Sequence, residues 1–286
     1  MTGWFACALA ALLLMGVQRF LYKVVAERSC DTLLTTLSFM ATVTVISTAA
    51  FFAGGAEVKD LRALLLAGFA NSLAFLAATL SHIEALKRLP AAIAYPLIRL
   101  DAVLVVVISI VFFHESMLGR QGIGIFIAVF AAVLVARGRN RIQTPFAPSS
   151  RGFLFVAMAI LAGTAAAVSS RFAVLHTDKT AFIAVSYGLS TIFAFFMGRG
   201  SVNGKVPERF RSSLFIGVSM GILNVAGYYA YLEGLSRGPL SLVTVITGMH
   251  FVVAVIFSLL IYRERLSPVS FAGIVLAVLS LVLIRV

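Results

Sequence analysis

The sequence predicts an all-α membrane protein, with about ten transmembrane helices arranged as two inverted five-helix repeats around a central cavity. Three observations predict it. The composition is too apolar for a chain dissolved in water. The apolar residues fall in ten runs of near-bilayer length, and the second half matches the first at a fixed offset of 149 residues.

Of 286 residues, 61% are hydrophobic and 12% charged, with a mean hydropathy of +1.04. Soluble domains are about 45–50% apolar and about 25% charged. A chain of this size cannot hide so much apolar surface from water, so the lipid bilayer is its expected solvent and partner. The net charge of +12 does not point to nucleic acid. The Lys and Arg residues sit singly between apolar runs, as loop and helix-end charges do, and do not gather on one polar face. Cys7 and Cys30 give neither a disulfide framework nor metal-ligand spacing. No cofactor is expected.

A helix crossing the hydrocarbon needs about 20 apolar residues. The first run, 3–24, has no basic segment before its apolar stretch and reads as a membrane helix, not a cleaved signal. Runs at 33–53 and 61–83 follow, parted by AGGAEVKD. The fourth, 91–113, begins after KRLP and ends at FHES, and the fifth is 120–137. The second half repeats the pattern at 153–174, 180–198, 212–232, 240–262 and 268–284, with MGRGSVNGK and YRERLSP among its connections. Gly, Pro or charge parts each pair. The runs are too long for strands and lack period-two alternation.

The longest polar stretch, RGRNRIQTPFAPSSRG at 137–152, carries four arginines, two prolines and no acid. It reads as a linker over 139–151 between a first repeat at 1–138 and a second at 152–286. Shifting the first half by 149 residues lays EALKRLP (84–90) on EGLSRGP (233–239), with Glu, Leu, Arg and Pro in register. The same shift carries Ser109 to Ser258, Glu115 to Glu264, Gly124 to Gly273 and Gly3 to Gly152. Shared composition scatters Val and Leu matches, but rarely aligns Glu, Arg, Pro and Gly without a gap. Five helices per half is an odd number, so the second copy enters the membrane upside down. Inverted repeats of this kind build secondary transporters, with the substrate site near the midplane where the repeats meet.

HESMLGRQGIG places Glu115, Gln121 and Gly124 after the fourth run, and RERLSPVSFAG places Glu264 and Gly273, with Ser270 where Gln would stand. In these residues, the two repeats and the helix order, nearly the whole chain resembles the EamA-like branch of the drug/metabolite transporter superfamily. The resemblance implies a basket of ten helices around a central cavity that exchanges small metabolites or drugs across the cytoplasmic membrane. Members often export amino acids, nucleotides or toxic compounds, in several cases with proton coupling. The family often breaks helices four and nine with a mid-helix proline. Here Pro96 lies before the usual place and helix nine has no proline.

The stretch YPLIRLDAVLVV (95–106) sets Arg99 and Asp101 near the middle of the fourth run. Each costs roughly 2.5–3.5 kcal/mol at that depth, which disfavours a lipid-facing position. The offset carries Asp101 onto His250 in the ninth run. An acid and an imidazole at related depth suit proton transfer, and Arg99 suits either a pair with Asp101 or an anionic group of a substrate. Residues two apart on a helix point roughly 200° away from each other, so Arg99 and Asp101 share the cavity only if the helix bends. Otherwise one of them ties the helix to a neighbour. Asn71 and Asn224 suit either a polar substrate or helix-to-helix hydrogen bonds. Tyr95, Tyr228, Tyr229 and Trp4 suit a cavity wall, core packing or an interfacial belt. Glu84 and Glu233 are expected to pair with Arg88 and Arg237, and Glu115 and Glu264 to anchor helix ends. The candidate substrate or proton site is thus Arg99, Asp101, His250, Asn71, Asn224, Tyr95 and Tyr228.

The expected function is secondary, non-ATP transport, as an exporter of small metabolites or drugs, with protons as a candidate coupling partner. The alternative is a non-transporting membrane sensor or scaffold. An enzyme is not expected, because HESML lacks the second His of a zinc-protease motif, and no Gly-rich phosphate loop supplies ATP chemistry. The odd-numbered connections are the more basic, so the positive-inside rule puts both termini outside, whereas the resemblance implies both inside.

Overall fold

The computed structural model describes residues 3–55, 57–58, 60–89, 94, 97–139, 150–199, 209–262 and 267–285. The elements are α1 (Gly3–Glu27), α2 (Thr32–Ala53), α3 (Leu61–Arg88), α4 (Leu100–Phe112), α5 (Gly119–Arg139), α6 (Ser150–His176), α7 (Lys179–Arg199), α8 (Phe210–Arg237), α9 (Leu240–Gly248), α10 (His250–Tyr262) and α11 (Pro268–Arg285). No strand occurs among the described residues. Among the described residues, seven helical stretches are long and apolar enough to cross a membrane, one of them being α9 with the start of α10. Leu100–Phe112, Gly119–Val135 and Phe271–Ile284 are shorter apolar helices. Large side chains face outward, as lipid contact requires: Phe52 is 76% exposed and Phe112 73%.

Short polar connections start the helices. Asp31 accepts from Leu34 N at 2.6 Å to cap α2, and Asp60 accepts from Ala63 N at 2.9 Å to cap α3. Asp178 accepts from Thr180 N and Ala181 N at the start of α7. Each satisfies backbone donors that the first helical turn leaves without a partner. Glu84 sits between Arg88, Lys87 and Thr32, and its repeat counterpart Glu233 between Arg237 and Lys179.

The two halves interlock. α1 packs on α8, while α6 packs on α3; α2 packs on α7, and α5 on α11. These pairings are unchanged when the halves are exchanged. α1 runs antiparallel to α8, with Met15 beside Gly227 and Trp4 beside Gly238. α6 likewise runs antiparallel to α3, with Gly152 against Leu89 and Ala166 bonded to Asn71. Gly124 and Gly273 let α5 and α11 approach. A Cβ on Gly124 would lie 2.8 Å from Ile284 Cγ1, and one on Gly273 would lie 2.8 Å from Val135 N.

The ninth run, expected as one helix, breaks at Met249 (φ −74°, ψ 3°) into α9 and α10. Val252 N bonds to Met249 O at 2.9 Å, a three-residue step that takes Gly248 O out of the helical ladder. No proline is involved. The fourth run has a turn at the related place: Leu97 and Ile98 are helical, Arg99 is a turn, and Ala102 N bonds to Arg99 O at 3.1 Å. Glycine's weak helix preference and a side chain inserted into the ladder are both recognised causes of such breaks. Here the inserted group is Arg99, whose Nη1 donates to Gly248 O at 3.1 Å.

Candidate substrate cavity

At these two breaks lies a cavity of about 120 Å³. The first half contributes Arg19 from α1, Phe75 from α3, Arg99 from the turn and Asp101 from α4. The second contributes Ser170 from α6, Tyr228 and Tyr231 from α8, Thr247 from α9 and His250 from α10. The lining therefore comes from the first, third and fourth runs of each half.

The turn at Arg99 resolves the angular conflict set by its spacing from Asp101. Both side chains reach the cavity, with Arg99 Nη2 at 3.3 Å from Asp101 Oδ2. Gly163 on α6 makes room, since a Cβ there would lie 3.2 Å from that carboxylate oxygen. Asp101 Oδ1 and Thr247 Oγ1 are buried without a hydrogen-bond partner among the described residues.

His250 is held at both ring nitrogens. Arg19 Nε donates to its Nε2 at 2.9 Å, and Nδ1 lies 2.8 Å from Gly248 O. A guanidinium only donates, so Nε2 accepts and the proton sits on Nδ1, donated to the carbonyl: a neutral imidazole. A proton passed through Nε2 requires Arg19 to move away. Arg19 also reaches His82 Nδ1 at 3.4 Å and lies over the Tyr22 ring at 4.7 Å.

A wider surface depression of about 590 Å³ lies beside Asp31, Glu84, Lys87 and Arg209. Glu84 there is engaged by Lys87 and Thr32, whereas the cavity at the helix breaks draws its lining from counterpart runs of both halves and holds two polar atoms without a partner among the described residues, which makes it the better substrate candidate.

The family model described as the EamA-like transporter family matches residues 2–137 and again 150–286. The chain belongs to the EamA-like transporter family. No curated protein matches the sequence. A crystal structure of a protein 16% identical superposes with a TM-score of 0.80 over 100% of this chain and 99% of that one, which is a likeness of fold.

Glu115, Gly124 and Gly273 act on packing between halves, and Gln121 within one half. Glu115 accepts from Leu240 N at 2.6 Å, Ser241 N at 3.1 Å and Ser241 Oγ at 2.7 Å, so a loop of the first half caps α9 of the second. Arg171 stands 3.9 Å from Glu115 and donates to Gly238 O at 3.0 Å, tying α6 to the same corner. Gln121 Oε1 accepts from Leu118 N at the start of α5, and Gly124 and Gly273 face the α5–α11 contact.

Of the residues singled out in the sequence, Arg99, Asp101, His250 and Tyr228 line the cavity. Asn71 and Asn224 are not among its lining residues. Asn71 Nδ2 donates to Ala166 O at 3.0 Å and Oδ1 accepts from Ser186 Oγ at 2.6 Å, joining α3, α6 and α7. Asn224 donates to Gln18 Oε1 at 3.0 Å and accepts from Tyr187 OH at 2.7 Å, joining α8, α1 and α7. Both amides thus serve helix-to-helix bonding. Tyr229 is 43% exposed and points outward, and Trp4 packs against Gly238. Tyr95, Pro96 and Glu264 lie outside the described residues. Sequence reasoning missed Arg19. It stands near the polar end of the first run, between Gln18 and Lys23, where a cation reads as an interfacial anchor. The available signal was that Gln18 and Arg19 both fall inside the apolar stretch.

Proposed function

We propose that this chain is a secondary transporter that exports small polar metabolites across the cytoplasmic membrane. In this reading ten transmembrane helices form two inverted repeats, 1–138 and 152–286, joined by 139–151. Alternating access comes from rocking one half against the other about the cavity. The observation that carries the reading is the cavity itself: counterpart elements of both halves meet there, at two helix breaks, and present charged side chains inside an apolar bundle. Intramembrane ionisable residues are expensive and mark substrate or ion pathways. The antiparallel pairings of α1 with α8 and α6 with α3 support the inversion. A sensor or scaffold would gain nothing from an arginine seated in the break of the opposite half.

Asp101 is the first candidate for proton coupling, because one of its oxygens has no partner among the described residues. Coupling through His250 needs Arg19 to leave Nε2. Purified protein in liposomes, given a panel of small metabolites with and without a pH gradient, tests both levels. Transport of at least one solute is expected, lost in Asp101→Asn and in His250→Ala. Wild-type rates in both variants at several pH values would remove protons from the mechanism. Failure of the wild-type protein to move any solute would remove transport.

A further inference from the structure

At the end of the bundle where α1 begins, Glu115 of the first half meets α6, α8 and α9 of the second. Its carboxylate accepts from Leu240 N, Ser241 N and Ser241 Oγ. It stands 3.9 Å from Arg171, which donates to Leu235 O and Gly238 O. Trp4 packs against Gly238 at this corner, and Leu235 and Leu240 are fully buried there.

The corner adjoins the cavity. Ser170, Tyr231 and Thr244 are lining residues. Arg171 follows Ser170 on α6, Leu235 lies one turn beyond Tyr231 on α8, and Ser241 one turn before Thr244 on α9. Glu115 moves with α4, because its backbone N bonds to Ser109 O at 3.2 Å. α4 packs mainly on α6 and α9, both in the second half, while Val107 and Val111 on its other face are exposed. A swing of α4 away from α9 opens the cavity at this end, and the bonds of Glu115 oppose it.

The opposite end is built differently. The 149-residue offset retains an acid there, Glu264, but puts Ala91, Ala92 and Tyr22 where Leu240, Ser241 and Arg171 stand. Alanine has no hydroxyl to donate, and tyrosine brings no positive charge. Hydrogen bonds and ion pairs to a charged partner are the stronger kind, so the two ends do not close with equal strength.

We propose that Glu115 is a one-sided latch. It holds α4 against α9 and keeps the cavity shut at the end where α1 begins, so the conformer open at that end is the minor one. This rests on the alternating-access reading above and assigns the residue that biases it.

The test is maleimide labelling of single cysteines in the full chain in detergent, with Cys7→Ala and Cys30→Ser as background. Thr244→Cys reports the cavity edge under the latch. Ala78→Cys reports the edge toward the other end of α3, where Leu89 meets Gly152. Glu115→Gln is expected to speed labelling of Thr244→Cys on the order of tenfold, without speeding that of Ala78→Cys. Ser241→Ala is expected to act in the same direction by about threefold, and it carries the test if Glu115→Gln does not fold. An equal rise at both positions is general loosening and overturns the latch, as does no rise at Thr244→Cys. Counterflow in wild-type vesicles reports the transport reading separately. One-sided labelling without counterflow of any solute keeps the latch and overturns transport. Counterflow with labelling indifferent to both variants keeps transport and overturns the latch.

Discussion

At the scale of single residues, Gly248 and Glu115 do opposite kinds of work. Gly248 leaves space: a Cβ there would lie 2.9 Å from Arg99 Nη1. Gly248→Ala is therefore expected to push the guanidinium aside and weaken solute binding by about tenfold. The thermal midpoint should move little, because the displaced atom ends a flexible side chain. Calorimetry beside a melting curve checks both parts, and unaltered binding would mean that Arg99 is not positioned by this contact. Glu115 supplies charge and acceptors to the start of α9. Glu115→Ala is expected to lower the unfolding free energy by about 1–2 kcal/mol, as loss of a helix cap does, and Glu115→Gln by less. Denaturant unfolding in detergent measures it; equal stability of the alanine variant would refute the capping role. Arg99 and Asp101 were legible in the sequence because charge inside an apolar run stands out. Arg19 was not, because a cation a few residues from a run's end is normally interfacial.

At the scale of helices, the packed glycines divide from the cavity-lining breaks. No described lining residue of the cavity comes from α5 or α11, and Gly273 faces Val135 N, a backbone atom that cannot swing away. Gly273→Leu is expected to cost roughly 1–3 kcal/mol of stability while leaving solute affinity unchanged in the folded fraction. A loss of affinity without a loss of stability would contradict this separation. The helix positions followed from apolar run length and from the Gly, Pro or charge between runs, while Asp31, Asp60 and Asp178 emerged as caps only in the structure. The break at Met249 was not legible. Proline is the visible breaker in a sequence, whereas this interruption depends on a glycine carbonyl captured by an arginine 149 residues away, which local pattern cannot reveal.

At the scale of the molecule, α1 rests on α8 and α3 on α6, so neither half completes its packing alone. Residues 1–138 and 152–286 expressed separately are expected to aggregate, and co-expressed they are expected to copurify and bind solute. A monodisperse, cooperatively melting single half would show that the interlock is dispensable. The offset of 149 residues was legible because Glu, Arg, Pro and Gly recur in register; the interlock was not, because a repeat says nothing about which faces meet. Arg99 touches the residue that occupies its own place in the other copy, Gly248. Two identical copies could not make this bond, since the same position would present guanidinium to guanidinium or glycine to glycine; the contact exists because the copies differ there, one filling the space that the other leaves open.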